Sequence, residues 1–201
     1  MEENYSIQAE NLMSGIFNDY IQSLSKYCRD NLTITLIKSL KFKLQDRYKR
    51  IEDLSSIEIN QELNKFQLLV YNTDYIEILQ EQINTIDLEM NMEVEGQFIY
   101  IEKPKLSYNN LMSIVDDIEK NRNSFITKIS KAKLEPILRS RHGVENQFID
   151  SQTAQKASTN SQLIYERYEK KINEITQKKI KEILTEEYFE KYKEENFSSY
   201  S

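Results

Sequence analysis

The chain has 201 residues, 30% of them charged and 39% in the hydrophobic set AVILMFWYC, with a formal net charge of −6. Three glycines, two prolines and one cysteine exclude collagen-like, mucin-like and disulfide-stapled chains, and argue against β-rich folds that place glycine and proline at their turns. Only a thin core can form, so composition points to an all-α protein: an elongated helical bundle with coiled-coil character and at most one small β-hairpin.

In chain order, Ala9, Leu12, Ile16, Tyr20, Leu24 and Cys28 recur at helical spacing, and Leu32, Leu36, Leu40, Leu44, Tyr48, Ile51 and Leu54 continue it. Asp30, Asn31 and the cluster Thr33-Ile34-Thr35 favour a turn or bend between the two runs. Ser55 and Glu58 form a capping-box pattern that predicts a new helix with Ile59, Leu63, Phe66 and Val70 on its face. Asn72-Thr73-Asp74 interrupts, and Ile76, Leu79, Ile83, Ile86 and Met90 resume the helical period.

From Met92 the period changes to two as far as Pro104, which predicts extended chain over residues 92–101. A lone strand leaves backbone groups unpaired, so it must fold back across Gly96 or pair with another chain, and both readings stay open.

Ser107 can cap the following helix, whose face (Leu111, Val115, Ile118, Arg122, Phe125, Ile129, Ala132) has heptad spacing. Pro136 is expected to end or kink it, with Gly143 terminating the basic break Arg139–Gly143. The domain reading is a helical bundle over 1–150 with the hairpin at 92–101, a polar linker or weak helix at 151–161, a long amphipathic helix over 162–197 and a frayed tail at 198–201.

Charge is segregated. Lys38, Lys41, Lys43, Arg47, Lys49 and Arg50 face only Asp46; residues 52–95 hold eleven acids against Lys65; Lys128, Lys131, Lys133, Arg139 and Arg141 face only Glu135. Such blocks either pair within the chain or dock on charged partners. The speculative partner-binding set is Lys41, Lys43, Arg47, Lys131, Lys133, Arg139 and Arg141, with the aromatics Phe98, Tyr100, Tyr188 and Tyr192.

No catalytic, cofactor or metal-ligating residues are assigned. His142 is the only histidine, Cys28 lies on an apolar stripe, and no phosphate-cradling or nucleophile-elbow motif occurs. The first residues, Met1-Glu2-Glu3-Asn4-Tyr5, do not resemble a secretory signal, and the longest apolar runs are far too short to span a membrane. A cytoplasmic location is expected, with a cytoskeletal one open.

These features predict a non-enzymatic scaffold subunit, cytoskeletal in kind, whose partners are other subunits and an acidic filament surface. Membranes are excluded as partners, nucleic acid is disfavoured by the negative net charge, and oligomeric state is undetermined. The alternative is an adaptor or regulatory module that binds one protein in a trafficking or chromatin complex. A small enzyme or nucleic-acid-binding domain with an unrecognised site is the third reading.

Overall fold

A computed structural model describes residues 2–197, so the tail expected at 198–201 lies outside the described residues. The chain divides into two compact units. One combines the two ends, up to Tyr27 and from Met112; the other is Cys28–Leu111.

The first unit is helical: α1 (Glu2–Leu24), α5 (Tyr108–Glu145) from Met112 onward, and α6 (Ser151–Phe197). α1 and α6 run parallel, since Ser6 meets Asn160 and Tyr20 meets Thr176. α5 runs against both, because Ser23 meets Asn121 and Lys133 meets Gln162. The heptad positions Val115, Ile118, Phe125 and Ile129 are buried, so the stripe closes this bundle. α5 continues through Pro136, although proline cannot donate to the carbonyl of residue 132. Helix α6 begins at Ser151, where the Asp150 carboxylate accepts from the Thr153 amide at 2.6 Å. Residues 151–161 are therefore helical, with Ala157 and Ser161 buried. Thr185, at φ 64°, kinks α6.

The second unit corrects the all-α expectation. After α2 (Arg29–Ser39) come β1 (Lys41–Leu44) and β2 (Arg47–Arg50), a two-stranded ribbon. Then follow α3 (Ile51–Leu54), β3 (Ser55–Asn60), β4 (Lys65–Val70), α4 (Ile76–Ile83), β5 (Met92–Glu95) and β6 (Phe98–Glu102), the four later strands forming one antiparallel sheet in the order β3-β4-β6-β5. The fold is α+β, with six strands in two sheets among the described residues.

Two helical readings fail for one reason: a sparse apolar set can be fitted with steps of three and four while the true period is two. Phe66, Leu68 and Val70 alternate into the core, and Ile57 and Ile59 lie on the partner strand. Ser55, expected to start a helix, instead follows α3, where its hydroxyl donates to the Ile51 carbonyl at 3.0 Å. Residues 92–101 do fold back, with Gly96 at φ 59° in the turn, but that hairpin is the edge of the larger sheet. The core of this unit joins Ile37, Phe42, Ile51, Leu54, Leu79 and Ile83 to the sheet residues Phe66, Leu68, Val70, Ile99 and Ile101.

Candidate nucleic-acid interface

Burial of Phe125 and Ile129 on one side of α5 turns the intervening positions outward. Between Lys120 and Arg141 that helix carries seven cations (Lys120, Arg122, Lys128, Lys131, Lys133, Arg139, Arg141) against the single acid Glu135. Their environments differ. The Lys133 ammonium donates to Gln162 at 2.9 Å and lies 4.4 Å from the Tyr165 ring centroid, which holds it along the helix seam. Arg139 pairs with Glu135 at 2.6 Å, and Lys128 sits 4.0 Å over the Phe125 ring. Lys131 and Arg141 are exposed and have no partner among the described residues. Exposed Leu134 and Leu138 lie between them on the same helix.

A second basic surface is the β1–β2 ribbon. Antiparallel register places Lys41 opposite Arg50 and Lys43 opposite Tyr48 on one face, and Phe42 opposite Lys49 and Leu44 opposite Arg47 on the other. Phe42 is buried and Leu44 packs against the core, so the face with Lys41, Lys43, Tyr48 and Arg50 points away. Lys43 meets Asp46 at 2.9 Å and Arg50 meets Glu52 at 3.1 Å. Lys41 and Arg47 pair with nothing among the described residues. A shallow depression of about 310 Å³ is lined by Lys41, Tyr48, Lys49 and Arg50 together with the acidic residues Glu52 and Asp53.

The ion pairs of these basic blocks, Lys43 with Asp46, Arg50 with Glu52 and Arg139 with Glu135, are all local in sequence. Both surfaces remain electrostatically open to a polyanion.

The aromatic members of the expected set behave differently. Phe98 and Tyr100 are half-buried neighbours on the outer face of β6, ring centroids 6.0 Å apart. Tyr192 is buried in the helical unit, where its hydroxyl donates to Glu119 at 3.3 Å and Glu119 pairs with Arg122 at 3.0 Å. Burial, then the Glu119 charge, pushes the Tyr192 phenol up. Tyr188 is half-buried on the same helix. Tyr48, which the helical pattern assigns to an apolar stripe, is instead 78% exposed. The signal that could have exposed it is the alternation Lys41-Phe42-Lys43-Leu44 followed by Arg47-Tyr48-Lys49-Arg50.

His142 makes a 2.9 Å contact with Glu145 on the helix surface, and no cluster of three or more metal-ligating side chains occurs among the described residues. Among those residues no helix is long and apolar enough to cross a membrane.

The sequence matches the model of the family described as Ribosome recycling factor over residues 21–184, a stretch that includes all of the sheet unit and most of the helical one. The chain belongs to the ribosome recycling factor family. This is a family of translation factors. Among solved structures, the chain is similar to the solution structure of a ribosome recycling factor, with 19% identity, coverage of 92% of this chain and 97% of that chain, and a TM-score of 0.48. It is also similar to a chain in models of the T. thermophilus ribosome recycling factor and the E. coli elongation factor G bound to the E. coli post-termination complex, with 14% identity, coverage of 91% and 98%, and a TM-score of 0.48. No curated protein matches the sequence.

Family membership overturns the cytoskeletal scaffold and the trafficking or chromatin adaptor alike. The partner expectation falls with them: a family named for the ribosome directs attention to a nucleic-acid-rich particle, not an acidic filament. A net charge of −6 does not argue against nucleic acid as a partner, because the local field of a segregated surface governs phosphate binding.

Proposed function

We propose that this chain acts on the ribosome after termination, as a recycling factor working with elongation factor G, and makes no or breaks no covalent bond itself. The family match over residues 21–184 is the observation that carries the reading. In it, the outward run of α5, with Lys131 and Arg141 foremost, lies against the phosphate backbone of ribosomal RNA. Two unpaired cations on a rigid helix suit that task, since phosphate contacts fix register and orientation without reading sequence. Lys128 and Arg139 supply further positive charge, while Lys133 braces α5 against α6 and is not a primary contact. The compartment is then wherever the chain's cognate ribosomes work.

The test is to add the purified chain, elongation factor G and GTP to post-termination complexes and to follow subunit separation by light scattering. Separation that depends on the chain supports the reading. Complexes that stay intact at saturating protein, with no co-sedimentation of the chain with ribosomes, would refute it.

A further inference from the structure

The β1–β2 ribbon is built in a way its own stability does not require. Lys41 and Arg50 stand directly opposite on one face, where like charges about 5 Å apart at Cβ repel. The next pair on that face is Lys43 and Tyr48, and Tyr48 is 78% exposed. Lysines on a ribbon edge can block unwanted strand pairing, but that role needs no exposed aromatic among them. The ion pairs of Lys43 with Asp46 and of Arg50 with Glu52 are both largely solvent-exposed, so they hold weakly and can exchange for a phosphate.

We propose that this face is a second RNA-contact site, on the sheet unit, that takes an unpaired nucleotide. The base stacks on the Tyr48 ring, and Lys41, Lys43 and Arg50 hold the phosphates on either side. An aromatic face among cations is the pattern of single-strand binding, because every base offers a π-face and every linkage a charge. A duplex hides its base faces and would leave the ring without a stacking partner. The choice of RNA rests on the reading that the chain works on the ribosome; the stacking arrangement rests on the ribbon alone.

The experiment is fluorescence anisotropy of the full chain with a labelled unpaired RNA oligonucleotide and with an RNA duplex of equal length, over a salt series. Tyr48→Ala weakens binding of the unpaired RNA about tenfold and leaves duplex binding unchanged, and Tyr48→Phe, which keeps the ring, restores it. Lys41→Gln combined with Lys43→Gln lowers the slope of log affinity against log salt by about 1.4, at roughly 0.7 per phosphate contact on a single strand. Because all three side chains face solvent, the variants keep the fold, which circular dichroism and thermal melting check. Equal affinity of Tyr48→Ala and the native chain for unpaired RNA overturns the proposal. So does a Tyr48→Ala chain that keeps its RNA affinity but loses ribosome binding, which would make the partner of the ribbon a ribosomal protein. A native chain that binds unpaired RNA through Tyr48 but fails to separate ribosomal subunits supports this site while removing the recycling reading.

Discussion

The two units of this chain solve the problem of alignment by different means. In the sheet unit the backbone ladders set the register: β4 is paired along its length with β3 and β6 over a cluster of aliphatic and phenylalanine side chains from Ile37 to Ile101, and the buried polar Ser55 bonds locally to the Ile51 carbonyl and not across the sheet. In the helical unit no ladder joins α1 to α6, and side-chain oxygens mark the register instead. Tyr20 contacts Thr176, whose own hydrogen goes to the Ile172 carbonyl at 2.6 Å, so the phenol is the donor. Tyr168 donates to Glu10 at 2.5 Å, Arg167 pairs with the same carboxylate, and Asn160 donates to Ser6 at 3.1 Å. Two parallel helices can slide by a turn with little loss of apolar contact, whereas a slid phenol would leave a buried polar group unsatisfied. The lesson is that polar groups in the helical core specify alignment, while the sheet unit obtains the same specificity from its backbone.

The comparison can be broken most forcefully in the apolar core. Ile101→Ala, at a side chain fully buried between strands and helices, is expected to destabilise the sheet unit by about 2–5 kcal/mol, read as a lower midpoint in chemical denaturation. A loss below 1 kcal/mol would show that this core is not closely packed.

Tyr20→Phe probes the other unit and should cost less, about 1 kcal/mol, because Thr176 keeps its bond to Ile172. The same tyrosines make the helical unit sensitive to alkali. Burial, first among the causes, raises the phenols of Tyr20, Tyr168 and Tyr192 above 10.0 and pushes Tyr165 up to about 12, with the neighbouring Glu169 adding to the last. A group whose folded pKa is raised contributes stability fully below its unfolded value and loses it as pH climbs through the folded one. Stability of the helical unit should therefore decline from about pH 10 upward, and hydrogen exchange resolved by segment should show α1 and α6 opening before β4 and β6. Simultaneous opening would mean that the phenols do not distinguish the two units.

The smallest expected effect lies in the ribbon turn, where Gln45 and Asp46 both adopt left-handed backbone, at φ 47° and 64°. Gln45→Gly relieves the Cβ strain, partly offset by glycine's greater freedom when unfolded, for a net gain of about 0.5 kcal/mol. A thermal melt that moves downward instead would show that this turn is not strained.

The same contrast explains what was legible in the sequence. The helical unit could be read because one face of each long helix repeats many times: Ala9 and Tyr20 on α1 and Ile118 and Phe125 on α5 are buried as their spacing predicts, and Ile172 and Ile180 are buried on α6. The sheet unit resisted reading because its strands are four to six residues long, too short for a period to declare itself. Two of its turns also lack glycine: Gln45, Asp46 and Asn64 take positive φ there, and only the hairpin at 92–101 carries a glycine, Gly96. A chain with three glycines therefore looked more helical than it is. Of the candidate surfaces, the cations of α5 and of β1 show in the sequence as clusters, whereas the exposure of Tyr48 is hidden by an apparent helical period and the burial of Tyr192 by its resemblance to a surface aromatic.

The most direct measurement is the affinity of the native chain and of Lys131→Glu/Arg141→Glu for ribosomes at two salt concentrations, by co-sedimentation. Both side chains are exposed, so the fold should persist. The native chain should bind and weaken as salt rises, and the double variant should bind more weakly at low salt with a shallower salt dependence, by about one unit of slope per lost contact. Identical binding curves for the two proteins would contradict the claim that the outward face of α5 meets ribosomal RNA.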